Sequence, residues 1–300
     1  MSKAAPVPIG QVAEPPFVRL PDPPKLFGVR GERLRALADG HRLQPYLMFL
    51  AGLCEAQHEV QDGLPEPELP AAETRGRARQ FAMPPLDRER FTADAALDAT
   101  FDRMLRLLRD IEMPPAAGAA LARVIAADRG AREAMVHAVL ACAIPIETMA
   151  EHVYAAAAVQ VHFARLAARL DAAELVAVGD GACPACGGPP VASLVVGWPD
   201  AHGTRFCSCA LCATLWNHVR IKCTLCGSID AISYQEIDGG PGTVKAETCG
   251  SCHGYLKILH QHKDPALEPV ADDVATLGLD LLVREAGFRR GGFDPFLLGY

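Results

Sequence analysis

Eight of the eleven cysteines stand in four Cys-x-x-Cys pairs: Cys183/Cys186, Cys209/Cys212, Cys223/Cys226 and Cys249/Cys252. Two intervening residues let one tight turn aim both sulfurs at a single cation. Two such turns complete a tetrahedron of thiolates, a donor set that suits zinc or a single iron ion. The spacing repeats as well. Cys186 and Cys209 are separated by 22 residues, as are Cys226 and Cys249, so C-x2-C-x22-C-x2-C occurs twice at an offset of 40 residues. A fixed-period repeat predicts two metal-binding modules in tandem. Gly187 and Gly227 follow the first pair of each module, where a turn calls for positive φ, and Gly250 lies inside the last pair.

Three partitions of the ligands can be drawn. Each module can close its own site, Cys183/Cys186 can join Cys223/Cys226, or Cys209/Cys212 can join Cys223/Cys226. A duplicated unit keeps its internal contacts, which favours the first. Site 1 is then Cys183, Cys186, Cys209 and Cys212, and site 2 is Cys223, Cys226, Cys249 and Cys252. A structural role for the ions is the simplest reading, because small β modules have thin cores and depend on metal to fold. Neither module offers an additional His or acid at ligand spacing, which argues against a hydrolytic centre. Cys207 is either a fifth thiol near the first site or, more simply, a half-buried strand residue, while Cys54 and Cys142 read as small core residues of apolar helices. His260 and His262 alternate on a strand, and His137, His152 and His162 sit on helices without a partner at ligand spacing. No Ser/His/Asp set, phosphate-binding glycine loop or paired carboxylates stand out, so no catalytic residue is assigned.

The elements that must carry these cysteines follow from periodicity. Each module reads knuckle, strand, glycine-containing turn, strand, knuckle, strand. The strands are expected at about 191–198, 204–207 and 214–221, then 231–237, 243–247 and 255–262. In the third of these, Leu215, Val219 and Ile221 alternate against Trp216, His218 and Arg220, as in a half-buried strand. A 22-residue loop accommodates a hairpin between knuckles, the zinc-ribbon or rubredoxin-like plan. Before residue 178 the signals are helical. Helices are expected at 30–40, 45–60, 116–127 and 131–143, and at 95–109 with Leu97, Phe101, Met104, Leu105 and Leu108 on one stripe. The longest, 146–170, carries Met149, Val153, Ala156, Val159, Phe163, Leu166 and Leu170 as its buried stripe. Helical period returns at 272–286, with Gly287 as a C-cap, and an apolar tail follows from 292.

The fold class is therefore α+β: an N-terminal α-helical domain, two tandem rubredoxin-like or zinc-ribbon four-cysteine modules, and a C-terminal helix. The expected divisions are a Pro-rich arm (1–27), the helical domain (28–178), the modules (179–222 and 223–265) and the C-terminal helix and tail (266–300). Half of the 300 residues are hydrophobic and 22% are charged, an ordinary globular composition. The net charge of −7, and the balance of six basic and six acidic residues between Cys183 and Asp264, argue against nucleic acid as a partner. No apolar run is long enough to span a membrane, and the first 26 residues lack the pattern of a signal peptide. A cytoplasmic location is expected, where paired cysteines mean metal rather than disulfides. The sequence leaves room for a homo-oligomer.

Beyond the cysteines, several stretches resemble the FdhE family of formate dehydrogenase accessory proteins. They are Cys183-Pro184-Ala185-Cys186-Gly187, Pro190-Val191-Ala192-Ser193, and Arg205-Phe206 leading to Cys209-Ala210-Leu211-Cys212. Trp216, Val219-Arg220-Ile221-Lys222-Cys223, Lys245-Ala246-Glu247-Thr248-Cys249 and Tyr255-Leu256-Lys257-Ile258-Leu259 continue the match. So do Lys263-Asp264-Pro265, Val270-Ala271-Asp272-Asp273 and Asp294-Pro295-Phe296-Leu297, although the family carries Asn where this chain has Asp294. The likeness is dense over 183–298 and thin over the helical part. It implies a cytoplasmic protein, not an enzyme, that binds the catalytic subunit of respiratory formate dehydrogenase and is needed for its maturation. It also implies that the two cysteine sets hold two mononuclear, rubredoxin-type iron ions, with zinc as the alternative metal. Two further readings stand beside this one: a redox protein acting on the dehydrogenase active site, and a structural zinc-ribbon adaptor.

Overall fold

The computed structural model describes residues 15–297. Helix α1 (Pro23–Ala38) and helix α2 (Gln44–Glu59) form an antiparallel pair, followed by the short α3 (Ala72–Gln80). Helices α4 (Ala95–Leu107), α5 (Pro115–Ala126) and α6 (Arg129–Leu140) all pack on α7 (Met149–Ala167). Local chemistry sets their starts. Asp94 and Asp128 accept hydrogen bonds from the amides of Leu97 (2.7 Å) and Ala131 (2.8 Å), and prolines occupy the first turns of α1, α2 and α5.

Three expectations change here. Strand β1 (Val18–Arg19) and the first turns of α1 lie inside the segment expected as an extended arm, and residues 1–14 of that arm fall outside the described residues. Helix α3 was not foreseen, because none of its residues is buried and it carries no apolar stripe. Helix α7 is buried on all sides from Glu151 to Ala164 rather than along one stripe, since α2, α4, α5 and α6 surround it; even His152, Gln160 and His162 are enclosed.

The cysteine-bearing part supplies strands β2 (Pro190–Val195), β3 (Arg205–Cys209), β4 (Leu215–Asn217), β5 (Ile232–Gln235), β6 (Val244–Cys249) and β7 (Gly254–Leu259). Each module is a three-stranded antiparallel unit, as the repeat predicts. The two units then merge. Ser193 and Leu194 of β2 pair in parallel with Ile258 and Leu259 of β7, giving one sheet in the order β1-β4-β3-β2-β7-β6-β5. Strand β8 (Arg289–Arg290) adds to β7 beyond the end of β2.

Strand β4 stops at Asn217, so the expected alternation to residue 221 fails: Trp216 is buried while Val219 and Ile221 are largely exposed. The C-terminal helix is two helices, α8 (Pro269–Ala275) and α9 (Leu277–Glu285), that meet at Thr276, whose hydroxyl bonds back to the Asp272 carbonyl at 2.6 Å. Gly287 has φ +90°, and Phe296 and Leu297 of the tail are buried. Helix α8 packs on both α1 and β2, and one hydrophobic core runs from Phe27 through α7 to Cys183, Phe206 and Phe296.

Candidate metal centres

The knuckles are built from backbone first. In site 1 the Gly187 amide bonds to the Cys183 carbonyl (2.8 Å) and the Cys183 amide to the Gly188 carbonyl (2.9 Å). Site 2 repeats this with Gly227 to Cys223 (3.0 Å) and Cys223 to Ser228 (2.8 Å). Gly187 and Gly227 have φ of +75° and +74°, as the turns predict. The second knuckle of each site makes the same turn without glycine, at Ala213 (φ +57°) and His253 (φ +53°). Each of the four pairs is therefore followed by a left-handed residue, a regularity that sequence reasoning found only where glycine marks it.

These turns bring the eight sulfurs together in the two sets that the repeat favours. Within each set the ligand atoms lie within 4.8 Å of one another. Cys183 and Cys212 sulfurs are 3.6 Å apart, Cys186 and Cys209 3.4 Å, Cys223 and Cys252 3.9 Å, and Cys226 and Cys249 3.8 Å. A tetrahedron with metal–sulfur bonds of about 2.3 Å requires separations of about 3.8 Å, so the cages have the size of a zinc or iron site. Donors already face the sulfurs. The amides of Leu211 and Cys212 lie 3.4 Å and 3.5 Å from Cys209 Sγ, and the Leu225 amide lies 3.4 Å from Cys223 Sγ. Such bonds favour thiolate over thiol, which a metal also requires.

The surroundings of the two sites differ. All four cysteines of site 1 are buried, and in site 2 Cys226 is exposed and Cys252 half-buried. Site 1 is covered by the helical part. The amides of Leu86 and Arg88 bond to the carbonyls of Ala185 (2.9 Å) and Cys186 (3.3 Å), and Gln160 of α7 donates to the Ala210 carbonyl at 2.8 Å. Arg88 also reaches the Leu140 carbonyl (2.6 Å) and Cys142 Sγ (2.9 Å). Cys142 lies past the end of α6 in a left-handed turn (φ +54°), half-buried, rather than inside a helix; burial raises its thiol pKa and Arg88 opposes the shift. Cys54 is fully buried, and burial pushes its thiol up to about 12. Cys207 belongs to neither set. It is fully buried rather than half-buried, and burial pushes it up to about 11, with Arg205 opposing the shift.

Arg205 stands in a motif stretch, but the motif does not show what it pairs with. Its guanidinium, buried on β3, meets both carboxylate oxygens of buried Glu247 on β6 at 2.9 Å and the Thr224 hydroxyl at 2.9 Å. It thereby ties the first module to the knuckle of the second. The available signal was a charge in a strand that is otherwise buried throughout. Lys257, Asp273, Asp280 and Arg290 form a second buried network: Arg290 pairs with both aspartates, Lys257 meets Asp280, and the Lys257 ammonium donates to the Asp273 carbonyl at 2.7 Å. His260 stays half-buried, its two ring nitrogens buried without partners; burial, then Lys263, pushes it down to about 4.

A helical body that covers one of two four-cysteine cages, both carried on a shared ribbon sheet, places the chain among tandem-ribbon scaffolds whose cysteines could hold metal; no helix among the described residues is long and apolar enough to cross a membrane. Family models for the FdhE N-terminal, central and C-terminal domains match residues 15–180, 182–220 and 221–297. A protein FdhE homolog of Rhizobium meliloti is 47% identical over 97% of this chain and 96% of its own, and one of Pseudomonas aeruginosa is 35% identical over 92% and 91%. The crystal structure of the FdhE protein from Pseudomonas aeruginosa superposes with a TM-score of 0.83 at 34% identity, covering 95% of this chain and 99% of that one. The chain belongs to the FdhE family.

Proposed function

We infer that this chain is an accessory, chaperone-like protein of respiratory formate dehydrogenase, binding the catalytic subunit in the cytoplasm and promoting its maturation, and that it is not itself an enzyme. Membership of the FdhE family along nearly the whole chain is the observation that carries the reading. Cys183, Cys186, Cys209 and Cys212 would hold one ion, and Cys223, Cys226, Cys249 and Cys252 a second. Rubredoxin-type iron is the first choice and zinc the alternative. Iron in such a cage passes one electron, whereas zinc only fixes the fold.

Within this reading the arm (1–27), helical domain (28–178), two modules (179–222 and 223–265) and C-terminal part (266–300) act together, and the helical domain and ribbon pair share the docking surface. The wide cleft between α3 and segment 83–87, with exposed Phe81 and Met83 on its rim and Arg77 and Arg90 in its lining, supports a surface of this kind beside site 1. The exposure of Cys226 favours a second reading, a redox protein acting on the dehydrogenase active site. The test is capture of the catalytic subunit, in precursor and mature forms, by purified full-length protein. Retention of at least one form supports the reading, and failure of well-folded, metal-loaded protein to retain any form would sink it.

A further inference from the structure

Two cages of the same design sit in unlike surroundings. Site 1 has all four sulfurs within the core, at no more than 2% exposure. Its first knuckle is bonded to segment 86–88, and a side chain at Gly187 would come within 3.1 Å of Pro84. At Gly188 a Cβ would stand 3.3 Å and 3.5 Å from the Cys186 and Cys209 sulfurs and 3.8 Å from Arg88, so Arg88 lies close over the cage. The second knuckle is held by Gln160 of the most deeply buried helix. A reagent reaches these sulfurs only after the helical body separates from the sheet.

Site 2 lacks that cover. Cys223 and Cys249 are buried, but Cys226 is exposed and Cys252 half-exposed. The polar link between its two knuckles, the hydroxyl pair Ser228 and Ser251 at 3.0 Å, is itself exposed. Its cover comes from the C-terminal part, where the Arg289 amide bonds to the His253 carbonyl at 2.8 Å and Leu225 lies against Gly254 and Gly291, and from Asp180, which pairs with Lys222 at 2.7 Å and lies against Gly227. That cover leaves Cys226 open.

We propose that the two centres divide their work: site 1 is a sealed rivet between the helical body and the sheet, and site 2 is an exchangeable centre that opens at Cys226 to thiophilic ions and chelators. The inference rests on the reading of both cages as metal sites. In the exchange Cys226 releases first. Its sulfur–metal bond breaks, the sulfur takes up a proton from water, and the incoming chelator occupies the vacated position. The other three cysteines follow in the same way, and no electron changes hands. Opening site 1 requires sub-global unfolding, whereas the opening of site 2 begins with the motion of an exposed turn, so the exchange rates should differ by at least about tenfold.

Full-length zinc-loaded protein mixed with excess 4-(2-pyridylazo)resorcinol tests this, with N-ethylmaleimide added at intervals and labelled cysteines located by peptide mass spectrometry. The expected result is two release phases of equal amplitude, with Cys223, Cys226, Cys249 and Cys252 labelled during the fast phase and Cys183, Cys186, Cys209 and Cys212 protected until the slow one. Two equivalents leaving at one rate, or first labels on the site 1 cysteines, would overturn the division and leave the two-centre reading intact. Fewer than two bound equivalents at the start would overturn both.

Discussion

Ala213 and His253 are held in the left-handed region next to Cys212 and Cys252, a conformation that costs a side-chain-bearing residue about 1 kcal/mol and glycine little. The geometry needed to aim two sulfurs at one point outweighs that cost. Ala213→Gly should therefore raise stability by about 0.5–1 kcal/mol, measured as a higher urea midpoint with unchanged metal content. A loss of stability would show that the Ala213 methyl contributes more in packing than the turn costs. Asp294 gives a second prediction. It is fully buried beside Asp273, and burial with that neighbouring charge holds its carboxyl well above the usual range. A neutral Asp294 brings the buried cluster of Lys257, Arg290, Asp273 and Asp280 to charge balance. Because the folded pKa is raised, the stability linked to this proton is complete below the unfolded value near 4 and declines as pH rises, by about 1.4 kcal/mol per unit until the folded pKa is reached. Asp294→Asn should thus be more stable than the natural chain at pH 7, with a gain that shrinks toward pH 4. An equal effect at both pH values would contradict a protonated Asp294.

At the scale of elements, the joint between β3 and β6 decides whether two ribbons behave as one sheet. Arg205→Gln would leave Glu247 buried without its cation, a change worth roughly 3–5 kcal/mol, whereas the double change to Met at 205 and 247 should recover most of the loss. Thermal unfolding of the three variants checks this, and a double variant no better than Arg205→Gln would show that the pair stabilises through something other than mutual charge. What the sequence displayed and what it hid can be read from the same elements. The apolar stripe of Leu97, Phe101, Met104 and Leu105 announced α4, and all four are buried. The cysteine repeat announced both cages because ligand spacing is a local property. Helix α3 gave no signal, since it buries nothing, and β4 gave a false one, since alternation continued past Asn217 into an exposed turn. The parallel pairing of β2 with β7 joins residues about 65 positions apart and leaves no mark on either strand's pattern. Arg205 and Glu247 were visible as motif residues, but only the fold shows that they meet.

Across the whole molecule, the shared core makes the helical body and the cysteine-bearing sheet depend on each other. Arg30 of α1 donates to Glu268 at 2.9 Å and Arg33 to Asp272 at 3.0 and 2.7 Å, binding the first helix to the C-terminal part. His162 of α7 lies inside this body, its side chain fully buried. Burial pushes it down to about 4, with Asp94 at 3.5 Å pulling weakly the other way. The unfolded chain takes up a proton near pH 6.5 that the folded chain refuses, so the associated stability is complete above that value and is lost as pH falls toward about 4. The loss is at most about 3 kcal/mol. His162→Leu should flatten the fall in urea midpoint between pH 6.5 and 4.5, and an unchanged slope would assign the acid sensitivity elsewhere. The central claim is that one chain carries two four-cysteine metal centres. Native mass spectrometry of protein purified without oxygen tests it most directly: the account predicts two metal ions per chain with all eight paired cysteines protected from alkylation, and a folded chain that holds fewer than two would contradict it.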